Sequence, residues 1–157
     1  MSQVALRPLE AGDLDAIFEY MRDPESVRMA AFTAKDPNDR SAFDAHMARI
    51  MSDPECWLRV IVRDSRLVGT MGSYLSEGMT EVTFWIDRAY WGQGIATQAL
   101  RLLLEEITVR PLRARAASDN AGSLRVLQKV GFRPVGSDVG FAQGRAAEIE
   151  ETILELT

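Results

Sequence analysis

The sequence is poor in the two side chains on which much enzyme chemistry depends. Its 157 residues include one cysteine, Cys56, and one histidine, His46. A single cysteine cannot build a disulfide framework, and this pair cannot supply the four ligands of a structural zinc site. We therefore predict no metal site, and we expect any chemistry to rest on groups other than the protein's own imidazoles and thiols.

Long apolar runs and an excess of positive charge are also missing. No stretch approaches the roughly 18 apolar residues that a membrane-spanning helix needs. The first fifteen residues carry acidic side chains and lack the apolar segment of a secretory signal, which favours a cytoplasmic protein with no membrane partner. The 18 basic and 23 acidic residues give a net charge of −5, which argues against a nucleic-acid-binding protein.

What the sequence does contain fits one globular domain over residues 1–157. Domains typically span about 100–200 residues. The hydrophobic share of 46% and the charged share of 26% are ordinary for globular proteins. No internal repeat, low-complexity tract or flexible linker divides the chain.

Hydrophobic periodicity predicts an α+β (mixed α/β) domain. The predicted order is a strand, two helices, three strands in a meander, a helix, a strand, a helix and two strands. Asp64-Ser65-Arg66 marks the turn of a hairpin. Residues 24–38 show no clear period and are expected to form a connection.

The strands are expected at 4–9, 57–63, 67–75, 80–87, 112–118, 133–139 and 149–156. The helices are expected at 11–23, around 43–50, 94–108 and 120–132, and the third should bury Ile95, Ala99, Leu102, Leu103 and Ile107.

A glycine turn joins the strand 80–87 to the helix 94–108. Its sequence, W-G-Q-G-I-A-T from Trp91 to Thr97, leaves backbone N–H groups unpaired at a helix start, where the helix dipole also favours an anion such as phosphate. No lysine follows the second glycine, so the phosphate-transfer loop is excluded. A merely flexible turn is the plainer alternative. A dinucleotide fingerprint fits less well, because Thr97 stands at its third small position.

The helix 120–132 begins with a polar turn. Asn120 is placed to cap this helix, and Ser123 lies about one turn further on the same side. Gly131 provides the C-terminal stop. Taken alone, these residues describe a capped helix and nothing more.

Together the two stretches resemble the GNAT superfamily of acetyl-CoA-dependent N-acetyltransferases, in particular its Rim-type branch of ribosomal-protein N-acetyltransferases. The turn matches that branch's W-G-x-G-x-A-T pattern. The helix N-A-G-S-L-R-V-L-Q-K-V-G-F matches N-x-x-S-x-x-x-L-x-K-x-G-F. The opening L-R-P-L, the strand E-V-T-F-W-I and the order of elements also agree, so the resemblance covers nearly the whole chain. It implies the GNAT fold, with a central mixed, mostly antiparallel sheet and helices on both faces.

The resemblance implies a role for each matching position. Backbone amides of the turn would hold the CoA pyrophosphate, and the end of the preceding strand would bind the pantetheine arm through its backbone. Asn120 would hydrogen-bond the pantetheine arm or the reacting region, and Ser123 would lie near the sulfur. The implied acetyl-CoA-binding residues are Trp85, Ile86, Gly92, Gln93, Gly94, Ile95, Ala96, Thr97, Asn120 and Ser123.

The chain departs from the family pattern where many members carry a tyrosine that protonates the leaving thiolate. Leu127 stands at that position, so the acid role would fall to Ser123 or to no residue. The strand 80–87 carries Thr83 where Rim-type relatives commonly have glycine, which would narrow the acceptor site. For the general base we choose Glu81, on the polar face of this strand, acting through water. The last strand offers Glu148, Glu150 and Glu151 as alternatives.

Two acceptors are consistent with the resemblance. One is the N-terminal α-amine of a protein, and the other is a small amine, which an acidic protein would attract. The alternative from another functional class is an acyl-CoA-binding protein of the same fold without catalysis. A homodimer is compatible with each of these hypotheses.

Overall fold

The helices and strands follow the predicted order, with one addition. The computed structural model describes residues 3–157. These residues form five α-helices and seven strands, with short 3-10 turns at Ala11–Asp13 and Arg88–Tyr90. In chain order they are β1 (Val4–Pro8), α1 (Leu14–Met21), α2 (Pro24–Ala30), α3 (Arg40–Ser52), β2 (Trp57–Arg63), β3 (Arg66–Ser76), β4 (Met79–Ile86), α4 (Ile95–Glu106), β5 (Leu112–Ala117), α5 (Ala121–Lys129), β6 (Arg133–Ala142) and β7 (Ala147–Leu156).

One sheet contains all of these strands, in the order β1-β2-β3-β4-β5-β7-β6. Adjacent strands of this sheet are antiparallel, except that β4 and β5 run parallel, because α4 connects them as a crossover. The predicted mixed, mostly antiparallel sheet is confirmed. The predicted hairpin is also confirmed, since Asp64 and Ser65 have φ of 52° and 70°, as the two central residues of a type I′ turn require.

Helices cover both faces of the sheet. On one face, α4 and α5 bury Leu100, Leu103 and Leu127 against the core side of the strands. On the other face, Ile17 and Tyr20 of α1 pack on Val60 of β2. The buried face of α4 includes Leu100, which was not predicted to be buried. Leu102, which was predicted to be buried, is only half-buried.

The segment predicted to be a plain connection contains α2. Asp23 caps this helix by accepting a hydrogen bond from Ser26 N at 3.0 Å, and Pro24 occupies its first turn. The helix has only seven residues, which is too short for an apolar period to show in the sequence. Its position matters for the site described below.

Two features are absent from the described part of the chain. None of its helices combines the length and apolar character that crossing a bilayer requires. No group of three or more His, Cys, Asp or Glu side chains among residues 3–157 is placed to hold a metal ion.

Candidate active site

The glycine turn between β4 and α4 exposes backbone donors. Gly92 and Gly94 have φ of 75° and 77°, a left-handed conformation that favours glycine. The first hydrogen bond inside α4 runs from Gln98 N to Gly94 O at 3.2 Å. The preceding amides therefore have no partner within the helix. Trp91 braces the turn, because its Nε1 donates to Ile86 O at 2.9 Å.

Next to this turn, β4 and β5 separate. Their parallel pairing is limited to Thr80 with Leu112 and Glu81 with Arg113. On its other edge β4 stays paired with β3 as far as Ile86. Beyond Glu81, the backbone groups of β4 that face β5 have no strand partner, and a ligand could use them.

The opening continues into a cavity of about 500 Å³. This volume lies in the ordinary range for small-molecule and cofactor sites, about 300–1,000 Å³. All of the residues that the sequence analysis assigned to acetyl-CoA line it, from β4, the glycine turn and α5. The helix α2 supplies a further wall, through Ser26, Met29 and Ala30.

Several charged and polar groups around this cavity were not predicted. Arg125 and Lys129 of α5 line it directly. Arg63 of β2 donates from Nη1 to the side chain of Gln93 and lies over the Tyr90 ring, with 5.0 Å between its Cζ and the ring centroid. The four-residue spacing of Arg125 and Lys129, which places both on one side of this amphipathic helix, was a usable signal. The contact of Arg63 joins residues 30 positions apart, so no local sequence pattern could predict it.

These features fit a molecule with a polyphosphate end and a narrow apolar arm. Unpaired helix-start amides and two cations suit phosphate groups. The open edge of β4 suits an amide-containing arm. The buried Nε1 of Trp85, a cavity-lining residue, has no hydrogen-bond partner among residues 3–157. Each of these observations is consistent with CoA.

The first turn of α5 has the predicted cap and one contact that was not predicted. Asn120 Oδ1 accepts from Ser123 N at 3.2 Å, which makes it the predicted cap. Its Nδ2 donates to Met29 O of α2 at 3.3 Å. The amide group of Asn120 is therefore engaged in holding α5 and α2 together. Ser123 is half-buried and lines the cavity.

Leu127 does not line the cavity. Only 1% of its surface is exposed, and it packs in the core between α5 and the sheet. The position at which many family members carry tyrosine is therefore an apolar packing position in this chain.

Glu81 lies at the point where β4 and β5 separate, and only 3% of it is exposed. It is not among the cavity-lining residues. Its Oε1 accepts a hydrogen bond from Arg115 Nε at 2.9 Å. Thr83, two positions further along the same face of β4, is exposed.

Arg115 also contacts two other carboxylates. Its Nη1 donates to Glu151 Oε1 of β7 at 3.4 Å, and its Nη2 lies 3.6 Å from Glu77 Oε1. Burial raises the pKa of Glu151, and the hydrogen bond from Arg115 opposes that rise. Burial and the neighbouring charge of Glu81 raise the pKa of Tyr74. This cluster was not predicted, because its contacts join residues 34 and 36 positions apart in the sequence.

Comparisons with known proteins agree with the geometry. The family model described as "Acetyltransferase (GNAT) domain" matches residues 3–133. The chain is 30% identical over 148 residues to "Probable N-acetyltransferase YjcK" of Bacillus subtilis (strain 168), covering 85% of this chain and 82% of that protein.

Two solved structures illustrate the similarity of fold. One is the spermidine N-acetyltransferase from Vibrio cholerae in complex with CoA and spermine. It has a TM-score of 0.80 and 18% identity, over 98% of this chain and 95% of that one. The other is Mycobacterium smegmatis RimJ in complex with CoA-disulfide. It has a TM-score of 0.79 and 20% identity, over 98% of this chain and 81% of that one.

Proposed function

This chain belongs to the GNAT family of acetyltransferases, and on that premise we propose that it transfers the acetyl group of acetyl-CoA to a primary amine on a cationic acceptor. The observation that carries the proposal is one cavity, at the separation of β4 and β5. It brings the unpaired amides of the glycine turn and the hydroxyl-bearing Ser123 to one place.

The phosphate end of CoA is assigned to the glycine turn. The amides of Gly92, Gln93, Gly94, Ile95, Ala96 and Thr97 would bind the pyrophosphate without a lysine, because the phosphate serves as a handle and does not react. Arg125 and Lys129 would compensate its charge. This local positive potential is needed because the chain as a whole carries a net charge of −5.

The pantetheine arm is assigned to the open edge of β4, with backbone contacts from Trp85 and Ile86. Asn120 would act mainly by fixing the α2 wall, since its side-chain amide is engaged by Ser123 N and Met29 O. Bound acetyl-CoA supplies an activated thioester carbonyl for a direct attack by the amine. The chain's own task is to hold and orient the reactants and to move protons.

Ser123 is the proposed proton donor near the leaving sulfur. A simple thiol has a pKa of about 8.5, so a thiolate is a tolerable leaving group and a weak acid suffices. Leu127 cannot perform this role, because it has no ionisable group and lies in the core.

Glu81 is the proposed base, acting through water on the incoming amine. Its place at the start of the separation and beside the exposed Thr83 supports this role. An α-amino group, with a pKa near 7.7–8.0, is already partly neutral, whereas a lysine-like amine near 10.4 needs more help. The hydrogen bond from Arg115 holds the Glu81 carboxylate in one orientation.

The surroundings of Glu81 favour an acceptor with positive charge. Glu77, Glu81 and Glu151 contact one cation, Arg115, so the cluster carries an excess of negative charge. Both a small amine and a protein N-terminal α-amine meet this description. The small amine is favoured, because the cluster offers more than one carboxylate to a molecule with several positive charges.

Thiol release from acetyl-CoA tests the proposal. The purified chain would be offered a panel of small mono-, di- and polyamines and a panel of peptides with free or blocked N-termini. We expect amine-dependent release that is fastest with a small polycation. Faster release with a free N-terminus than with every small amine would favour the protein acceptor. No release with either panel, while acetyl-CoA still raises the melting temperature, would favour the non-catalytic acyl-CoA-binding alternative.

Three further expectations accompany this function. The reaction is expected in the cytoplasm, and a homodimer is compatible with it. No metal ion is expected to be required, so a chelator should leave the rate of thiol release unchanged.

A further inference from the structure

The turn between β6 and β7 contacts α2 and does not line the cavity. Arg145 forms a bidentate ion pair with Asp119: its Nη1 donates to Oδ2 at 2.8 Å and its Nη2 donates to Oδ1 at 2.9 Å. Its Nε donates to the backbone oxygen of Arg28 in α2. One guanidinium therefore joins the β6–β7 turn, the segment after β5 and α2.

Gly144 makes a second connection in the same turn. Its amide donates to Ala31 O at 2.8 Å. A Cβ on residue 144 would lie 2.9 Å from Ala31 O and closer still to Val27 O, so only glycine allows this approach. Ala31, where α2 ends, has φ of 67°, a conformation that alanine rarely adopts.

Small side chains fill the space beneath these polar contacts. Ala31, Ala117 and Ala142 are almost fully buried against one another. Asn120 joins from the cavity side through its hydrogen bond to Met29 O. We call the contact among α2, residues 117–120 and the β6–β7 turn (residues 142–146) the clasp.

The clasp fixes a wall of the cavity, because Ser26, Met29 and Ala30 of α2 line it. A seven-residue helix is marginal in water and depends on tertiary contacts for its place. At its other end Asp23 accepts two hydrogen bonds from Arg88, at 2.8 and 2.9 Å. Neither Gly144 nor Arg145 lines the cavity. Any effect that they have on the reaction must therefore pass through α2 or through Asp119 and the adjacent Asn120.

We propose that Arg145 and Gly144 are positioning residues that hold α2 in place as the wall over the thioester region of the cavity. This proposal rests on the assignment of the cavity to acetyl-CoA. A fixed wall keeps water from the thioester and guides the amine to it, and a loosened wall loses both effects. The phosphate handle at α4 does not depend on the clasp.

The test compares Arg145→Ala with a matched control, Arg7→Ala. Arg7 forms the same kind of bidentate pair with Asp13, at 2.9 and 2.8 Å, and also donates to a backbone oxygen, that of Pro8. The Arg7 pair joins β1 to the turn before α1. Both variants lose an arginine that holds an aspartate through two hydrogen bonds, and only Arg145→Ala also removes a contact to α2.

We expect Arg145→Ala to lower kcat/KM for amine acetylation by at least about tenfold. It should raise the share of thiol release that occurs without an amine, and it should speed hydrogen exchange of the α2 amides in the free protein. The dissociation constant for acetyl-CoA should change less than about threefold, because the phosphate contacts are intact. Arg145→Lys should restore part of the kcat/KM value, because it keeps one charged contact to Asp119.

The proposal is overturned if Arg145→Ala and Arg7→Ala give the same kcat/KM, the same amine-independent thiol release and the same hydrogen exchange of α2. In that case the two variants would differ from the wild type only in melting temperature. Hydrogen exchange of α2 is measured without substrate, so it decides the clasp even if Arg145→Ala is too unstable for kinetics. It also separates this proposal from the proposed function. A wild type that releases no thiol contradicts the function, while unchanged α2 exchange in Arg145→Ala contradicts the clasp.

Discussion

At the scale of single residues, Arg115 is the one cation among residues 3–157 in contact with Glu77, Glu81 and Glu151. Its shortest contact is with the almost fully buried Glu81, and its contact with Glu151 is longer. Removing one partner of a charged, buried hydrogen bond leaves the other partner unsatisfied, at a cost of roughly 1.5–3 kcal/mol. Stability and catalysis are therefore linked at Glu81, and a test of its role must measure them separately.

Replacing the proposed base should lower the rate of the chemical step. We expect Glu81→Gln to reduce kcat by about 100-fold or more while the dissociation constant for acetyl-CoA stays the same, because Glu81 does not line the cavity. Steady-state kinetics and calorimetric binding would measure the two quantities. Glu105→Gln, an exposed carboxylate of α4 with no assigned role, is the control. Unchanged kcat, or a larger loss in Glu151→Gln, would contradict the role of Glu81.

The pKa of Glu151 predicts how stability depends on pH. Burial raises this pKa above its ordinary value of 4.5, so the folded state binds the proton more tightly than the unfolded chain does. The charged form therefore destabilises the fold at neutral pH, and this effect fades as pH falls through the raised pKa. Glu151→Gln should melt above the wild type at pH 7, with a difference that shrinks toward about pH 4.5. A lower melting temperature for this variant at pH 7 would contradict this account.

At the scale of elements, long periodic segments were predictable and short ones were not. The stripe of α4 and the alternation of β4 extend over enough residues to reveal a period, and the Asp64-Ser65 turn has local chemistry of its own. The helix α2 is too short for a period. Its capping signals, Asp23 followed by Pro24 at the first helical position, were present in the sequence and could have predicted it.

The start of α4 provides an element-scale test of the phosphate site. We expect Gly94→Asp to abolish the rise in melting temperature that acetyl-CoA causes, since it places a carboxylate where the helix start would bind an anion. Gly78→Asp is the matched control. Gly78 also has φ of 77° but lies in the turn between β3 and β4. The substitution Gly78→Asp therefore causes similar backbone strain at a position that does not line the cavity. A full rise in Gly94→Asp would contradict the assignment of the turn to phosphate.

At the scale of the whole molecule, the site forms where two strands of one sheet separate and helices from both faces meet. The motifs at residues 91–97 and 120–132 predicted residues that line one cavity, because each motif is local in the sequence. The polar contacts around them were not predictable from local patterns. Arg115 meets Glu81 across 34 positions and Arg145 meets Asp119 across 26. Only the folded sheet brings such residues together.

The charges of the molecule divide between the two sides of the site. Arg125 and Lys129 lie by the cavity assigned to an anionic cofactor. The carboxylates around Arg115 and the net charge of −5 favour a cationic acceptor. Acyl transfer from a thioester also explains why a chain with one cysteine and one histidine can be an enzyme. The reacting sulfur comes with the substrate.

The most direct test of this account is a mass-spectrometric count of acetylated amine against thiol released from acetyl-CoA by the wild-type chain. We predict one acetylated amine for each thiol, with both products lost in Gly94→Asp and both retained in Gly78→Asp. Acetyl-CoA binding without any acetylated amine, across small amines and free N-termini alike, would contradict the account.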